Sequence, residues 1–123
     1  MAAPNGVTAP TTLMSTDPEA PPLTIDIGSL SDEQIRQYTF VDVREDAERM
    51  IKPCKELVHE HFPLSRFQPT EGFPADPKKQ YIFFCAVGQR SLMLAEYLRE
   101  QGMNNVYSLD GGINAIKEHF KNR

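Results

Sequence analysis

One stretch constrains this chain more than any other: Tyr81-Ile82-Phe83-Phe84-Cys85-Ala86-Val87-Gly88-Gln89-Arg90-Ser91. Tyr81 to Phe84 is a short apolar, aromatic run, the pattern of a fully buried strand. Cys85 to Arg90 reads as a tight loop, with Gly88 where the backbone can need a positive φ. From Ser91 onward, Leu94, Ala95 and Leu98 recur at helical spacing and Gly102 stops the run. The spacing predicts a helix over 91–101. A cysteine therefore stands at the end of a central strand, in a loop that feeds a helix N-terminus.

This placement has chemical consequences. The first turn of a helix has backbone N–H groups without intrahelical partners, and its dipole favours negative charge. Loop amides that curl toward one point add a concave anion site. Arg90 brings a full positive charge into the same loop. Each effect favours thiolate over thiol, and such settings lower a cysteine pKa from about 8.5 to roughly 3.5–7.5. The bland alternative is that Cys85 is a small core residue, a common fate of free cysteines.

The flanking sequence predicts alternating strands and helices. Leu23 to Ile27 suits a first strand. Ser31 followed by Gln34 is a capping-box pattern for a short helix to about Gln37. Phe40 to Val43 reads as a second buried strand and Asp46 to Ile51 as a helix that Pro53 stops. Cys54 to Phe62 is hard to read, with a strand suggested around His59 to Phe62. Pro63 to Phe67 reads as a turn or short helix, and 68–79, with three prolines and a glycine, as a surface loop. Val106 to Leu109 is a last strand, Asp110-Gly111-Gly112 a tight loop and Ile113 to Phe120 a final helix. This alternation predicts an α/β fold with a mostly parallel central sheet flanked by helices. Ligands of such sheets sit beyond the carboxyl ends of the strands, where Asp42, Cys85 and Asp110 all fall.

Composition narrows the function. The 123 residues suffice for one domain, expected over 23–123. Residues 1–22 hold five of the ten prolines and no Lys or Arg. Their apolar residues show no period, so they read as a flexible tail or linker. With 13 Lys+Arg against 17 Asp+Glu, nothing suggests a nucleic-acid partner. No apolar run approaches a membrane span. Two cysteines, and a start without a basic and then apolar leader, point to the cytoplasm. The expected state is a monomer.

Four motifs, in order, then carry a resemblance. Cys85-x-x-Gly88-x-Arg90-Ser91, with Asp42-Val43-Arg44-Glu45 upstream, Pro63-Leu64-Ser65 between and Asp110-Gly111-Gly112-Ile113 downstream, resembles a single rhodanese domain over roughly residues 23–120. The resemblance implies a rhodanese-like fold and a sulfurtransferase whose Cys85 carries a persulfide, with no metal or organic cofactor. Ala86, Val87, Gly88, Gln89, Arg90 and Ser91 would line the substrate site. Asp42 and Arg44, with Glu45 beside them, would support it by tying the active loop to the neighbouring strand. The partners implied are a small sulfur donor such as thiosulfate and a thiol, cyanide or protein acceptor.

Alternatives stand beside each assignment. Asp42 and Arg44 can form a structural ion pair only, and Arg90 can pair with Glu45 instead of facing substrate. Gly111-Gly112 lets the backbone pass close to the pocket, or is a plain turn before the last helix. Cys54 reads as a bystander more readily than as a resolving thiol. His59-x-His61 puts two imidazoles on one strand face, but no further ligand stands at metal-site spacing. Where family members carry glycines before the Pro-Leu-Ser, this chain has Leu57-Val58-His59-Glu60-His61-Phe62. Ala86 follows the cysteine, where a basic residue is common, and Ile116 replaces an aromatic. Related cysteine phosphatases and arsenate reductases use a loop one residue longer than the four residues between Cys85 and Arg90. A non-catalytic protein-binding module is the second function class.

The tail argument makes a direct prediction. Deleting Met1 to Ala20 should leave both the thermal midpoint and the thiol chemistry of Cys85 nearly unchanged. A marked fall in either would show that the tail packs on the domain.

Overall fold

A computed structural model describes residues 21–121. The predicted tail therefore lies outside the described residues apart from Pro21 and Pro22. The elements are β1 (Thr24–Ile25), α1 (Asp32–Gln37), β2 (Thr39–Asp42), α2 (Asp46–Ile51), β3 (His59–His61), β4 (Tyr81–Phe84), α3 (Gln89–Glu100), β5 (Val106–Leu109) and α4 (Gly112–Phe120). Short 3-10 turns follow β1 and β3, at Ile27–Ser29 and Leu64–Arg66. The strands form one sheet in the order β1-β5-β4-β2-β3, and every pairing is parallel. The architecture is the α/β fold predicted.

Strand parity sorts the core. Successive side chains of a strand point to opposite faces. Tyr81 and Phe83 of β4, Val41 of β2 and Val106 of β5 pack with Leu94, Ala95 and Leu98 of α3. Ile82, Phe84, Phe40, Tyr107 and Leu109 pack on the other face with Ile35 of α1 and Ile113 and Ile116 of α4. Cys85 continues the odd-numbered series and joins the α3 face. The half-buried Cys54 packs on the opposite face.

Local signals account for most boundaries. The capping box of α1 forms as its sequence predicts: Gln34 N donates to Ser31 Oγ at 3.1 Å, and Ser31 N to Gln34 Oε1 at 2.8 Å. The first strand is shorter than predicted. The Asp26 carboxylate accepts from Gly28 N at 3.0 Å, which turns the chain and takes Ile27 out of the strand. The helix predicted from Ser91 starts two residues earlier, because Gly88 adopts φ 106° and releases the chain into α3. The 68–79 loop is anchored. Phe73 is buried and meets Phe62, Tyr81 and Phe83 edge-to-face at centroid distances of 5.2, 5.1 and 5.0 Å. Asp76 N also donates to the Tyr81 hydroxyl at 2.8 Å.

Two arginines fasten the periphery. Arg99 of α3 donates to Val106 O, Pro21 O and Pro22 O at 2.8–2.9 Å and lies over the Tyr107 ring. These bonds tie the chain down just before β1. Arg44, 2 % exposed, is buried beside Asp42, which has no exposure. Its Nε and a terminal nitrogen donate to the two Asp42 oxygens at 3.0 and 2.9 Å, and its other terminal nitrogen to Lys52 O at 2.8 Å. The pair joins the end of β2 to the C-terminus of α2.

A buried charge stripped of its partner is costly. Asp42→Ala leaves the Arg44 guanidinium uncompensated and should lower stability by about 3–5 kcal/mol. Urea unfolding reads this as a lower midpoint with an unchanged slope. A loss below about 1 kcal/mol would place the charges in a wetter environment than their burial indicates.

Candidate active site

The loop after β4 wraps around the Cys85 sulfur. Gly88 N and Ser91 N donate to Sγ at 3.2 and 3.4 Å, and the Ser91 hydroxyl lies 3.6 Å away. Gly88 makes this curl possible, because its φ of 106° is closed to side-chain-bearing residues without strain. A Cβ there would also meet Gly111 N at 3.2 Å and Leu109 O at 3.3 Å. Burial is the largest influence on the Cys85 thiol and pushes its pKa up. Hydrogen bonds from Ser91 N–H, the Ser91 hydroxyl, Gly88 N–H and Arg90 N–H together outweigh it and leave the pKa below the ordinary thiol value. On Cys54 burial outweighs the backbone hydrogen bonds from Glu56 and Leu57, and its thiol is pushed up.

Ser91 is itself oriented by a residue that the sequence reading passed over. Ser108 of β5 is buried, its hydroxyl 2.7 Å from Ser91 Oγ, and both hydroxyls lie within 3.3–3.5 Å of Gly88 O. Gly88 O can only accept. A hydroxyl pair of this kind lets Ser91 donate to a thiolate while Ser108 donates to Ser91 Oγ or Gly88 O. The signal was present in the sequence: Ser108 is a polar residue at an inward position of the apolar run Val106–Leu109.

Behind the loop, two backbones touch. Ile113 N donates to Cys85 O at 2.8 Å. A Cβ on Gly112 would stand 2.8 Å from the Ala86 carbonyl carbon and closer still to Cys85 O. The Gly111-Gly112 turn is therefore the surface against which the cysteine loop is moulded.

Arg90 is committed elsewhere than the sequence alternative placed it. Its terminal nitrogens donate to both Glu48 oxygens at 2.8 and 2.7 Å. This hydrogen bonding holds the Glu48 carboxyl at about 2, although partial burial opposes it. Glu45, the partner considered from sequence, instead accepts from the Ser65 hydroxyl at 2.6 Å and Ser65 N at 3.1 Å. These bonds lower its own pKa. Nothing in the sequence marks Glu48, which is 42 positions from Arg90.

The supporting carboxylate and arginine act at one remove. Asp42 and Arg44 hold α2, and α2 carries Glu48 to Arg90. Ala86 and Gly88 are partly covered, while Val87 and Gln89 are exposed around the loop. Asp110 is exposed at the end of β5. His59 and His61 are used structurally. His61 Nε2 donates to Arg44 O at 2.8 Å, so its Nδ1 is the acceptor for Arg49 at 2.8 Å. His59 donates to Leu57 O at 3.1 Å and packs edge-on to Phe84. Among the described residues no three or more His, Cys, Asp or Glu side chains are grouped to hold a metal ion. No helix among them is long and apolar enough to cross a membrane.

Comparison with known proteins agrees with this fold. Residues 28–119 match the family model of the rhodanese-like domain. The chain is 35 % identical over 89 residues to a Bacillus subtilis protein named "Putative sulfurtransferase YtwF", covering 72 % of this chain and 82 % of that one. It is 36 % identical over 79 residues to the Arabidopsis thaliana chloroplastic rhodanese-like/PpiC domain-containing protein 12. That match covers 62 % of this chain but only 26 % of the Arabidopsis protein, so the chain spans about a quarter of that relative. Among solved structures, a rhodanese-related protein from Thermoplasma volcanium superposes with a TM-score of 0.64 at 29 % identity, covering 78 % of this chain and 91 % of that one.

The Cys85 environment is testable by titration. Alkylation rate against pH, on a Cys54→Ser background, should give a midpoint below the unperturbed value of about 8.5. Ser91→Ala removes the hydroxyl donor but keeps the N–H, so the midpoint should rise while staying below that value. A wild-type midpoint near the unperturbed value would mean that the loop does not stabilise the thiolate.

Proposed function

Because the chain belongs to the rhodanese-like domain family, we propose that it is a sulfurtransferase that carries sulfane sulfur on Cys85. The observation that carries this reading is the ring around Sγ at the N-terminus of α3: Gly88 N–H and Ser91 N–H donate to it, and the Ser91 hydroxyl lies 3.6 Å away. Donors preorganised around a sulfur stabilise the charge of a thiolate without moving at the moment of reaction.

The reaction is a double displacement. The Cys85 thiolate attacks the outer sulfur of a donor such as thiosulfate. A bond forms between Sγ and that sulfur, the donor's bond to it breaks, and the leaving group, sulfite in this case, departs with the electron pair. Cys85 is left as a persulfide. A thiolate or cyanide acceptor then attacks the outer sulfur, and Cys85 leaves as thiolate. The chain's own part is to hold Sγ ionised, to shield it, and to receive the leaving thiolate in the second step. Small sulfur donors and thiol or protein acceptors are the partners this reading assigns.

The four-residue gap between Cys85 and Arg90 favours sulfur over phosphate chemistry. A shorter loop presents fewer amides and a narrower ring, suited to one sulfur atom more than to a tetrahedral oxyanion. The competing reading, a protein-binding module with an idle cysteine, draws on the 1 % exposure of Cys85.

Intact-mass measurement separates these readings. Incubated with sulfane donors, the chain should gain the mass of one sulfur and lose it on adding cyanide or a thiol. Cys85→Ser should abolish both steps. No gain from any donor would favour the binding module, and robust hydrolysis of an aryl phosphate without a persulfide would favour the phosphatase.

A further inference from the structure

The Glu48–Arg90 ion pair bears on which donor the site accepts. Arg90 is the one basic residue between Cys85 and Ser91, and Ala86 stands directly after the cysteine. Arg90 stands in the first turn of α3, directly before Ser91, whose N–H donates to the sulfur, and its charge acts on Cys85. Yet both its terminal nitrogens are bound by Glu48 in a two-point contact. Glu48 stays ionised throughout the working pH range, because Arg90 holds its carboxyl at about 2. Glu48 Oε2 is further oriented by Glu45 N at 3.0 Å, so the carboxylate is positioned by its own helix as well. The pair contributes no net charge to the mouth of the site.

Exposed apolar side chains occur on the loop and on both helices that carry the ion pair. Among the described residues the exposed large hydrophobic side chains are Met50, Ile51, Val58, Val87 and Met93. All but Val58 lie on α2, on the cysteine loop or in α3. Val87 is 56 % exposed within the loop itself. Ile51 follows Glu48 by one helical turn, and Met93 follows Arg90 by one turn, so each shares a face with a member of the ion pair. A dianion arriving at Cys85 meets a neutralised arginine and the exposed Val87 side chain of the loop. A donor with one negative charge and an apolar body has less charge to desolvate and more surface to bury.

We propose that Glu48 determines donor specificity: by holding Arg90 it selects sulfane donors that carry a single negative charge and an apolar group over dianionic thiosulfate. This rests on the sulfurtransferase reading and names the substrate class of the same site. Two probes share one displacement. With thiosulfate, the Cys85 thiolate takes the outer sulfur and sulfite leaves; with benzenethiosulfonate, it takes the outer sulfur and benzenesulfinate leaves. In both, the Sγ–S bond forms as the donor's S–S bond breaks, the electron pair goes to the leaving group, and no oxidant is needed.

The experiment measures the rate of persulfide formation on the full chain with each probe, above the thiol titration so that Cys85 is ionised throughout. Intrinsic reactivity differs between the probes, so the ratio of rates is compared between variants. Glu48→Gln keeps the acceptor oxygen for Glu45 N but frees the Arg90 charge. It should raise the thiosulfate rate by about tenfold relative to benzenethiosulfonate, the scale of one added unit charge at a partly exposed mouth. Added salt should erode this gain. Glu48→Gln/Arg90→Gln should cancel it, which excludes a merely structural effect of the first substitution. Val87→Ser should slow benzenethiosulfonate more than thiosulfate. An unchanged ratio in Glu48→Gln, or a gain that survives loss of Arg90, overturns the proposal while leaving sulfur transfer standing. A wild-type chain that loads sulfur from neither probe overturns both. If Glu48→Gln fails to fold, Glu48→Ala is read the same way, with the same two outcomes.

Discussion

The close approach of Gly112 to the Cys85 and Ala86 backbone is the constraint on which the site's geometry depends. A side chain at Gly112 has no room, and Ile113 N–H is already bonded to Cys85 O at 2.8 Å. The start of α4 is thereby fixed against the end of β4. The cysteine loop cannot relax toward α4, so it curls the other way, over Sγ. Gly88 permits the turn, and the turn in turn starts α3 with its free N–H groups facing the sulfur. Two helix N-termini and one strand end are thus locked together by contacts that are almost entirely backbone. Such contacts are insensitive to side-chain rotamers, which suits a site that must hold one atom in place.

Charge is distributed around this frame in two tiers. The inner tier is polar but uncharged: two amides and the Ser91 hydroxyl meet the sulfur, and the Ser108 hydroxyl meets Ser91. The outer tier is ionic. The buried Asp42–Arg44 pair grips Lys52 O and so holds the C-terminus of α2, and Glu48 on α2 reaches Arg90 at the N-terminus of α3. A buried ion pair gives little net stability compared with a hydrophobic replacement. Its contribution here is positional, because it sets the placement of a six-residue helix that buries none of its residues. Without it α2 would have only its contacts at the rim to hold it.

The opposite placement of the two cysteines also follows from the frame. Cys85 lies on the α3 face by the parity of β4, and Cys54 packs among residues on the α1 and α4 face. The sheet stands between them. Cys54 is raised in pKa by burial, which further separates its chemistry from that of Cys85.

Much of this was legible in the chain itself. The buried strand Tyr81–Phe84, the capped helix from Ser31, the glycine at 88 and the alternation of strand and helix are local properties, set by side-chain period and by which residues tolerate a given φ. They determined the α/β class and put Cys85 at a strand end beside a helix N-terminus. Ser108 was readable in principle, since strand parity alone turns it inward. What only the tertiary structure decided were relations between distant segments: Glu48 rather than Glu45 as the partner of Arg90, α2 as the element through which Asp42 and Arg44 act, Phe73 as the anchor of a loop that reads as surface, and Gly112 as the backing of the cysteine loop. The physical reason is common to all four. A helical or strand period fixes which way a side chain faces, but which of several carboxylates or aromatics meets it depends on the register and tilt of packed elements, and those are settled only when the whole core closes.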